Sequence, residues 1–344
     1  MESSACKPNI YTGESLAQPG GSVNVVESGR GEFKFSDPDD VRAWMRDKKS
    51  RAQTDKVMTH RDAVKKFIRD GDYVSFDLSS FVRGPTSLER EIIRQRKKQL
   101  WLCTKFIHID STLLVAGGCV DRIDVGYVGM GKTLYRAIEK RKVHVIDWSN
   151  GSLALRHLAG AMGVPFIPSR SLVGTDTLKY SGAKVVRDPF TGKRLCLIPA
   201  LNPDVALIHA NQCDKFGNAR IFGASVSPLE TAMASRKVIV STEEIIDNSK
   251  IRKDPSKTTI PYYLVSAVVH APFGSHPGSV PGLYSYDSEH ILQFFGIKDD
   301  RGMDAYLDEY VYSLKNHDKY LDKIGRERLE KLKDAETIRE GYYP

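Results

Sequence analysis

The chain has 344 residues, 41% hydrophobic and 27% charged, enough to bury a large α/β core in one domain or two. No run of eighteen apolar residues and no basic-then-apolar leader occurs, and the five cysteines (Cys6, Cys103, Cys119, Cys196, Cys213) never form a CxxC pair. These features predict a cytoplasmic protein with no membrane span, disulfide framework or zinc knuckle. The net charge of +8 is carried by the middle of the chain, without the aromatic ladder that a nucleic-acid surface needs, so nucleic acid is not an expected partner.

Residues 1–56 are rich in Ser, Gly, Pro and charge and read as an N-terminal extension, mobile or docked. One candidate helix lies near Asp39 to Lys49, with Val41, Trp44 and Met45 on one face. From Met58 a βα periodicity begins. Thr59 can cap a helix through Phe67 and Ile68, Gly71-Asp72 makes a turn, and Tyr73 to Leu78 is a strand. A helix through Leu88 to Lys98 follows. Its run Arg90, Arg94, Arg96, Lys97, Lys98, interspersed with Glu89 and Glu91, reads as a solvated face, with a phosphate-bearing ligand as the alternative. Leu100 to Ile109 is a strand, Leu113 and Leu114 mark a short helix, Gly117-Gly118 breaks it, and Ile123 to Val128 is the next strand.

Gly126-Tyr-Val-Gly-Met-Gly-Lys-Thr133 satisfies the phosphate-loop pattern G-x-x-x-x-G-K-T. The strand before it is not the first of the sheet, and the helix after it is cramped into Leu134 to Arg141. A strand-to-helix loop with turning glycines and a solvated Lys132 is the favoured reading.

Val143 to Leu153 is the most informative segment: an apolar strand (Val143, Val145, Ile146) ends at Ser149-Asn150-Gly151 and turns directly into a helix bearing Leu155, Leu158, Ala159 and Met162. Gly163 ends that helix, and Val164 to Ile167 reads as another buried strand, so the unit favours a parallel sheet with ligands at its strand C-termini. Ser149 and Asn150 have a simple alternative role as helix caps. Further on, Asp204 to Ala210 is a buried strand with His209 as a satisfied core residue, and Lys215 to Asn218 is a turn. Lys237 to Ser241 is a strand, and Thr242 is expected to cap a helix whose first turn carries Glu243 and Glu244, where the helix dipole favours acids; a catalytic carboxylate pair is the alternative. Residues from about 300 read as a C-terminal helical arm.

The order of several strings resembles the A subunits of glutaconate CoA-transferases within the family I CoA-transferases, over roughly Val57 to Lys333. The strings are Val57-Met-Thr59 with Asp62-Ala63, Gly71-Asp72, Arg83 with Pro85, Gly163-Val-Pro-Phe166, Asp188-Pro-Phe190, Ile208-His-Ala210, Glu243-Glu-Ile-Ile246 and Arg252-Lys-Asp-Pro255. The C-terminal strings Gly274-Ser-His-Pro277, Gly282-Leu-Tyr284 with Tyr286-Asp287, and Leu314 to Leu321 leading to Gly325 are the most specific.

The resemblance implies an open, largely parallel α/β sheet with helices on both faces, divided as a 1–56 extension, a 57–295 CoA-transferase domain and a 296–344 helical arm. It implies coenzyme A as substrate, no metal, and a homologous B subunit in an AB heterodimer or a larger (AB)n assembly such as a heterotetramer. In this family a glutamate of that partner becomes a glutamyl-CoA thioester, and no comparable nucleophile motif occurs here. Asn150 stands where relatives usually carry glutamine in strings such as S/T-P-Q-G-T-L, so Asn150 and Gly151 become the candidate oxyanion donors. The asparagine is shorter by one C–C bond, about 1.5 Å. Asp77-Leu78 replaces the family's glycine pair, and Lys105 to Asp110 replaces a glycine-rich stretch. The implied substrate wall is therefore Asp77, Leu78, Ser79, Arg83, Lys105, His108 and Ser149, with Asp110 beside it. These departures keep open a branch acting as a ring-cleaving acyl-CoA hydrolase, like the steroid ring-opening relatives, or as a decarboxylase. A phosphate-loop protein and a non-catalytic binding or scaffolding role are the remaining alternatives.

Overall fold

The computed structural model describes residues 9–12, 24–77, 81–107, 109–129 and 132–336. At the N-terminus β1 (Asn9–Thr12) pairs antiparallel with β3 (Glu32–Phe35), while β2 (Val25–Ser28) joins a different sheet. Helix α1 (Pro38–Asp47) starts where expected. Asp37 accepts the Asp39 N–H as its cap and Pro38 supplies a first helical residue that needs no donor.

The chain then alternates α2 (His60–Phe67), β4 (Tyr73–Asp77), α3 (Thr86–Arg94), β5 (Leu100–Ile107), α4 (Ile109–Ala116), β6 (Val120–Val128), α5 (Lys132–Glu139) and β7 (His144–Asp147). Thr59 caps α2 by accepting the Asp62 N–H, as its side-chain type predicts. α6 (Asn150–Met162) ends at Gly163, whose φ of 68° is the left-handed C-cap. β8 (Phe166–Ser169), α7 (Asp176–Tyr180), β9 (Lys184–Arg187) and β10 (Arg194–Pro199) follow, and then β11 (Val205–Asp214), β12 (Ala219–Arg220), α8 (Pro228–Ala234), β13 (Lys237–Ile246), α9 (Asn248–Lys253) and β14 (Ala267–His270).

Seven strands make one parallel sheet in the order β14-β13-β11-β4-β5-β6-β7, and β12 pairs antiparallel with β11. Every residue of β4 and nearly every one of β11 is buried, as a sheet covered on both faces requires. Helices α2 to α5 cover one face through Val64, Leu88, Ile92, Leu114 and Leu134. On the other, α6 lies over β5 to β7 through Trp148 and Leu153, and α8 lies over β11. From β4 the connections run one way to β7 and the other way to β14, so the order reverses between β4 and β11. Crevices for ligands form outside the carboxyl ends of strands at such a reversal.

Four expectations change. The Val164 to Ile167 run does not return to the parallel sheet: β8 is partly exposed and pairs antiparallel with β10 in a second sheet of order β2-β9-β10-β8. Pro168 has no N–H to give a second neighbour, which suits the edge β8 occupies. β7 is therefore the edge of the parallel sheet. Strand β5 stops at Ile107, because α4 begins at Ile109. Glu243 and Glu244 sit in β13, which runs on to Ile246, and not in a helix. The charge run is only partly solvated: Arg96 and Lys98, beyond α3, are exposed, but Glu89, Arg90 and Glu91 on it are buried. The arm covers them, with Arg90 stacked 3.6 Å from the Tyr320 ring and donating to the His276 carbonyl, and Arg94 donating to the Val311 carbonyl.

After α10 (Ser288–Phe295), that arm comprises α11 (Asp300–Leu307), a π-helical turn at Asp308–Tyr312, α12 (His317–Ile324) and α13 (Arg326–Asp334). Asp287 pins it, receiving two Arg328 N–H groups at 2.6 Å and His276 Nε2 at 3.0 Å. Burial opposes its charge, but hydrogen bonds from His276 and Arg328 hold it well below the usual carboxylate range.

Candidate active site

The floor of the site is a buried polar layer between α6 and the sheet. Arg156 on α6 pairs with Asp124 on β6 at 2.5 Å, both fully buried. The Tyr73 hydroxyl and Trp101 Nε1 also donate to Asp124, and the Arg156 guanidinium lies 4.3 Å from the Trp148 ring. The next residue, His157, gives its Nδ1 proton to the Leu153 carbonyl at 2.9 Å, so its Nε2 accepts from the Ser75 hydroxyl at 2.7 Å. Burial, reinforced by the Lys105 ammonium, keeps His157 neutral, well below its ordinary range. This layer fixes where the N-terminus of α6 sits relative to the strand ends.

Strand register sets the next row up. Ser75 pairs with Cys103, and Thr104 and Phe106 flank the pairing of Lys105 with Gly126 through their partners Val125 and Tyr127. With a two-residue side-chain period, Asp77, Lys105 and Gly126 stand side by side on the α6 face of β4, β5 and β6. Asp77 and Lys105 are each 1% exposed, with Lys105 Nζ 3.6 Å from Asp77 Oδ1. That oxygen accepts the Ser227 N–H at 3.0 Å, at the start of α8. Among the described residues, Asp77 Oδ2 and Lys105 Nζ have no hydrogen-bond partner. The charged pair therefore fills the place where the family resemblance has glycines.

At the end of the row α6 begins. Ser149 and Ser152 form a reciprocal capping box, each side chain bonding the other's backbone N–H at 3.0 and 2.8 Å. The Ser149 hydroxyl is thus engaged in capping. Asn150 takes no part in the cap, and its side-chain oxygen is buried against Gly126 with no hydrogen-bond partner among the described residues. Gly151 is exposed, and a Cβ there would meet only Ser149 Oγ at 3.9 Å, so the space beside its Cα is open. Leu78, Ser79, His108 and the side chain of Asp110 lie outside the described residues.

Arg83 is fully buried, has φ 57°, and donates to the Phe222 and Ala224 carbonyls. It supports the loop that delivers the Ser227 N–H to Asp77, and does not line an open surface. Gly126 remains inside β6, whereas a phosphate-loop pattern would place its first glycine beyond the strand, and Lys132 is exposed at the start of α5. Among the described residues no group of three or more His, Cys, Asp or Glu side chains could hold a metal.

A second cluster occupies the same edge at β11 and β13. Glu243 accepts the Phe273 N–H (2.6 Å), the Gly274 N–H (3.1 Å), the Tyr284 hydroxyl (2.6 Å) and His209 Nε2 (2.7 Å). His209 Nδ1 meets the Ser241 hydroxyl at 2.9 Å. Burial, and then the Glu243 charge, push the Tyr284 hydroxyl well above its ordinary pKa. A cavity of about 450 Å³, lined by Asn211, Gln212, Glu243, Phe273, Tyr284 and Lys333, opens beside it. The signal missed in the sequence was the strand alternation of Ser241 and Glu243, which puts both on one side with His209.

The coenzyme A transferase family pattern matches residues 57–271. The A subunit of glutaconate CoA-transferase from Acidaminococcus fermentans is 32% identical over 302 residues, covering 81% of this chain and 94% of that protein. Its crystal structure superposes with a TM-score of 0.77 over 81% of this chain and 95% of that one. The A subunit of 3-oxoadipate CoA-transferase from Pseudomonas knackmussii is 33% identical, covering 78% and 98% of the two chains. The decarboxylase AibA/AibB matches at 28% identity and a TM-score of 0.65, covering 74% of this chain and 98% of that one. The chain belongs to the coenzyme A transferase family, and within it to the A subunits.

Proposed function

We propose that this chain forms the donor wall of a shared active site, in which CoA moves between an acyl-CoA and a small carboxylate, such as a dicarboxylate, with a homologous B subunit supplying the nucleophilic glutamate. The start of α6 carries the reading: an exposed Gly151 beside the Asn150 amide, at the carboxyl edge of a parallel sheet. Attack of a carboxylate oxygen on the thioester carbonyl forms a C–O bond and places negative charge on the carbonyl oxygen. Donors aimed at that oxygen lower the barrier, one such donor contributing about 3 kcal/mol. Collapse breaks the C–S bond and releases CoA thiolate, which then attacks the resulting anhydride at the glutamyl carbonyl, giving glutamyl-CoA and the free acid. Asn150 Nδ2 and the Gly151 N–H are the proposed donors. The Asp77–Lys105 pair, Ser149 and the Arg83-held loop shape the wall with Leu78, Ser79 and His108. The complex is an AB pair or a multiple of it in the cytoplasm, and neither a metal nor a nucleic acid takes part.

The test is co-expression with a homologous B subunit, incubation with acetyl-CoA, and mass spectrometry of that partner following borohydride or hydroxylamine treatment. A modified glutamate is expected; an assembled complex that consumes acyl-CoA without one sinks the transferase reading. The buried charged pair favours one second reading, an acyl-CoA hydrolase or decarboxylase of the same fold. Release of free CoA or CO₂ without a carboxylate acceptor is its mark.

A further inference from the structure

We infer that Gly126 is a positioning residue for acyl transfer, its missing side chain creating the seat that turns the Asn150 amide nitrogen toward the reacting carbonyl. This rests on the reading of Asn150 as an oxyanion donor. A Cβ at Gly126 would lie 2.0 Å from Asn150 Oδ1, 2.6 Å from its backbone N and 2.8 Å from its Cα. Two of these are backbone atoms of the first helical residue of α6, so a methyl group there displaces the helix start and not merely a side-chain tip. Gly126 does not have the positive φ that requires glycine, and it lies inside strand β6, where glycine weakens the strand. Space for Asn150 is the remaining reason for it.

The seat also selects which end of the amide points inward. Among the described residues Oδ1 is buried with no hydrogen-bond partner, and it faces the Gly126 Cα–H groups, which are weak donors that suit an oxygen and repel an NH₂. The position beside Gly126 on β5 is Lys105, a buried cation whose Nζ also has no hydrogen-bond partner among the described residues, and its field favours the oxygen on the inner side. With the oxygen turned in, Nδ2 is left at the open end, next to the Gly151 N–H. The first glycine of the apparent phosphate-loop pattern thus serves an amide 24 residues further along.

The test uses the complex with its homologous partner, acetyl-CoA as donor and glutarate as probe acceptor. Gly126→Ala is expected to lower kcat about a hundredfold, the scale of one lost oxyanion donor, with KM for both substrates within twofold. Asn150→Ala should match it, and the double variant should be no slower than either single one. Independently of turnover, Gly126→Ala should lower Tm, and adding Asn150→Gly should recover part of the loss, because the contact with Oδ1 is removed while those with the backbone N and Cα remain. If Gly126→Ala prevents assembly, the same second change should restore a measurable fraction of it. Turnover of Gly126→Ala within twofold of the parent while Asn150→Ala is slow, losses that multiply in the double variant, or a Tm that Asn150→Gly does not raise at all each overturn the inference. Unchanged turnover in Asn150→Ala instead removes the oxyanion reading itself, and the Tm cycle still reports whether Gly126 seats Asn150.

Discussion

Two polar clusters share the carboxyl edge of the parallel sheet, and they differ in how completely they are satisfied. At β11 and β13 the Glu243 carboxylate receives four donors from strand, loop and side chain. Around the start of α6, Asp77 Oδ2, Lys105 Nζ, Asn150 Oδ1 and Trp148 Nε1 are all buried without a hydrogen-bond partner among the described residues. Leaving such a group without one costs about 1 to 3 kcal/mol. A fold that can fully satisfy a carboxylate at one point of this edge, yet leaves four polar atoms unsatisfied at another, distinguishes an anchor from a site. The Glu243 cluster ties the 273–284 loop to the sheet; the α6 end supports the reading of a wall completed by ligand and partner.

The largest expected effect tests the floor beneath that wall. Arg156→Ala leaves Asp124 as a fully buried, uncompensated charge, since Arg156 is its ion-pair partner at 2.5 Å. Removing one partner of a buried pair costs about 3 to 5 kcal/mol, so urea unfolding should show a much lower midpoint or no folded chain. A loss below about 1 kcal/mol would mean that the floor does not hold α6, and the position of Asn150 would need another cause.

Glu243→Gln comes next. Replacing the charged acceptor weakens bonds from Phe273, Gly274, Tyr284 and His209, and hydrogen bonds to a charged group contribute about 1.5 to 3 kcal/mol each. Because glutamine still accepts through one oxygen, a total loss near the value of one such bond is expected in thermal unfolding. Turnover per assembled complex should stay within about twofold. A fall as deep as that of Asn150→Ala would break the comparison, because the satisfied cluster would then take part in chemistry.

How much of this was legible in the sequence depended on distance along the chain. The Thr59 cap, the Gly71-Asp72 turn and the Ser149 to Gly163 helix are local, and side-chain type with spacing was enough to place them. Thr242-Glu243-Glu244 is locally ambiguous: a hydroxyl before two acids fits a helix start, and the parallel pairing with β11 overrides it. The first half of the charge run, on α3, looked solvated because its cover, Tyr320 and the arm, lies more than 200 residues away. Val164 to Ile167 looked buried because its apolarity was visible and its edge position was not. For the site, Asn150 and Gly151 were found by their turn and by family resemblance. Gly126 was seen only as part of a phosphate pattern, since its reason, the approach of Asn150, exists only in three dimensions.

The smallest effect separates capping from chemistry within α6 itself. Ser149→Ala removes the bond to the Ser152 N–H and one half of the capping box, at a cost of about 1 kcal/mol in stability. The helix start remains held from below by Arg156 and from the side by the Gly126 seat, so Asn150 keeps its place. Unfolding midpoint should therefore drop modestly while kcat changes by less than about threefold. A Ser149→Ala complex as slow as Asn150→Ala would show that the cap, and not the seat on β6, is what aims the amide.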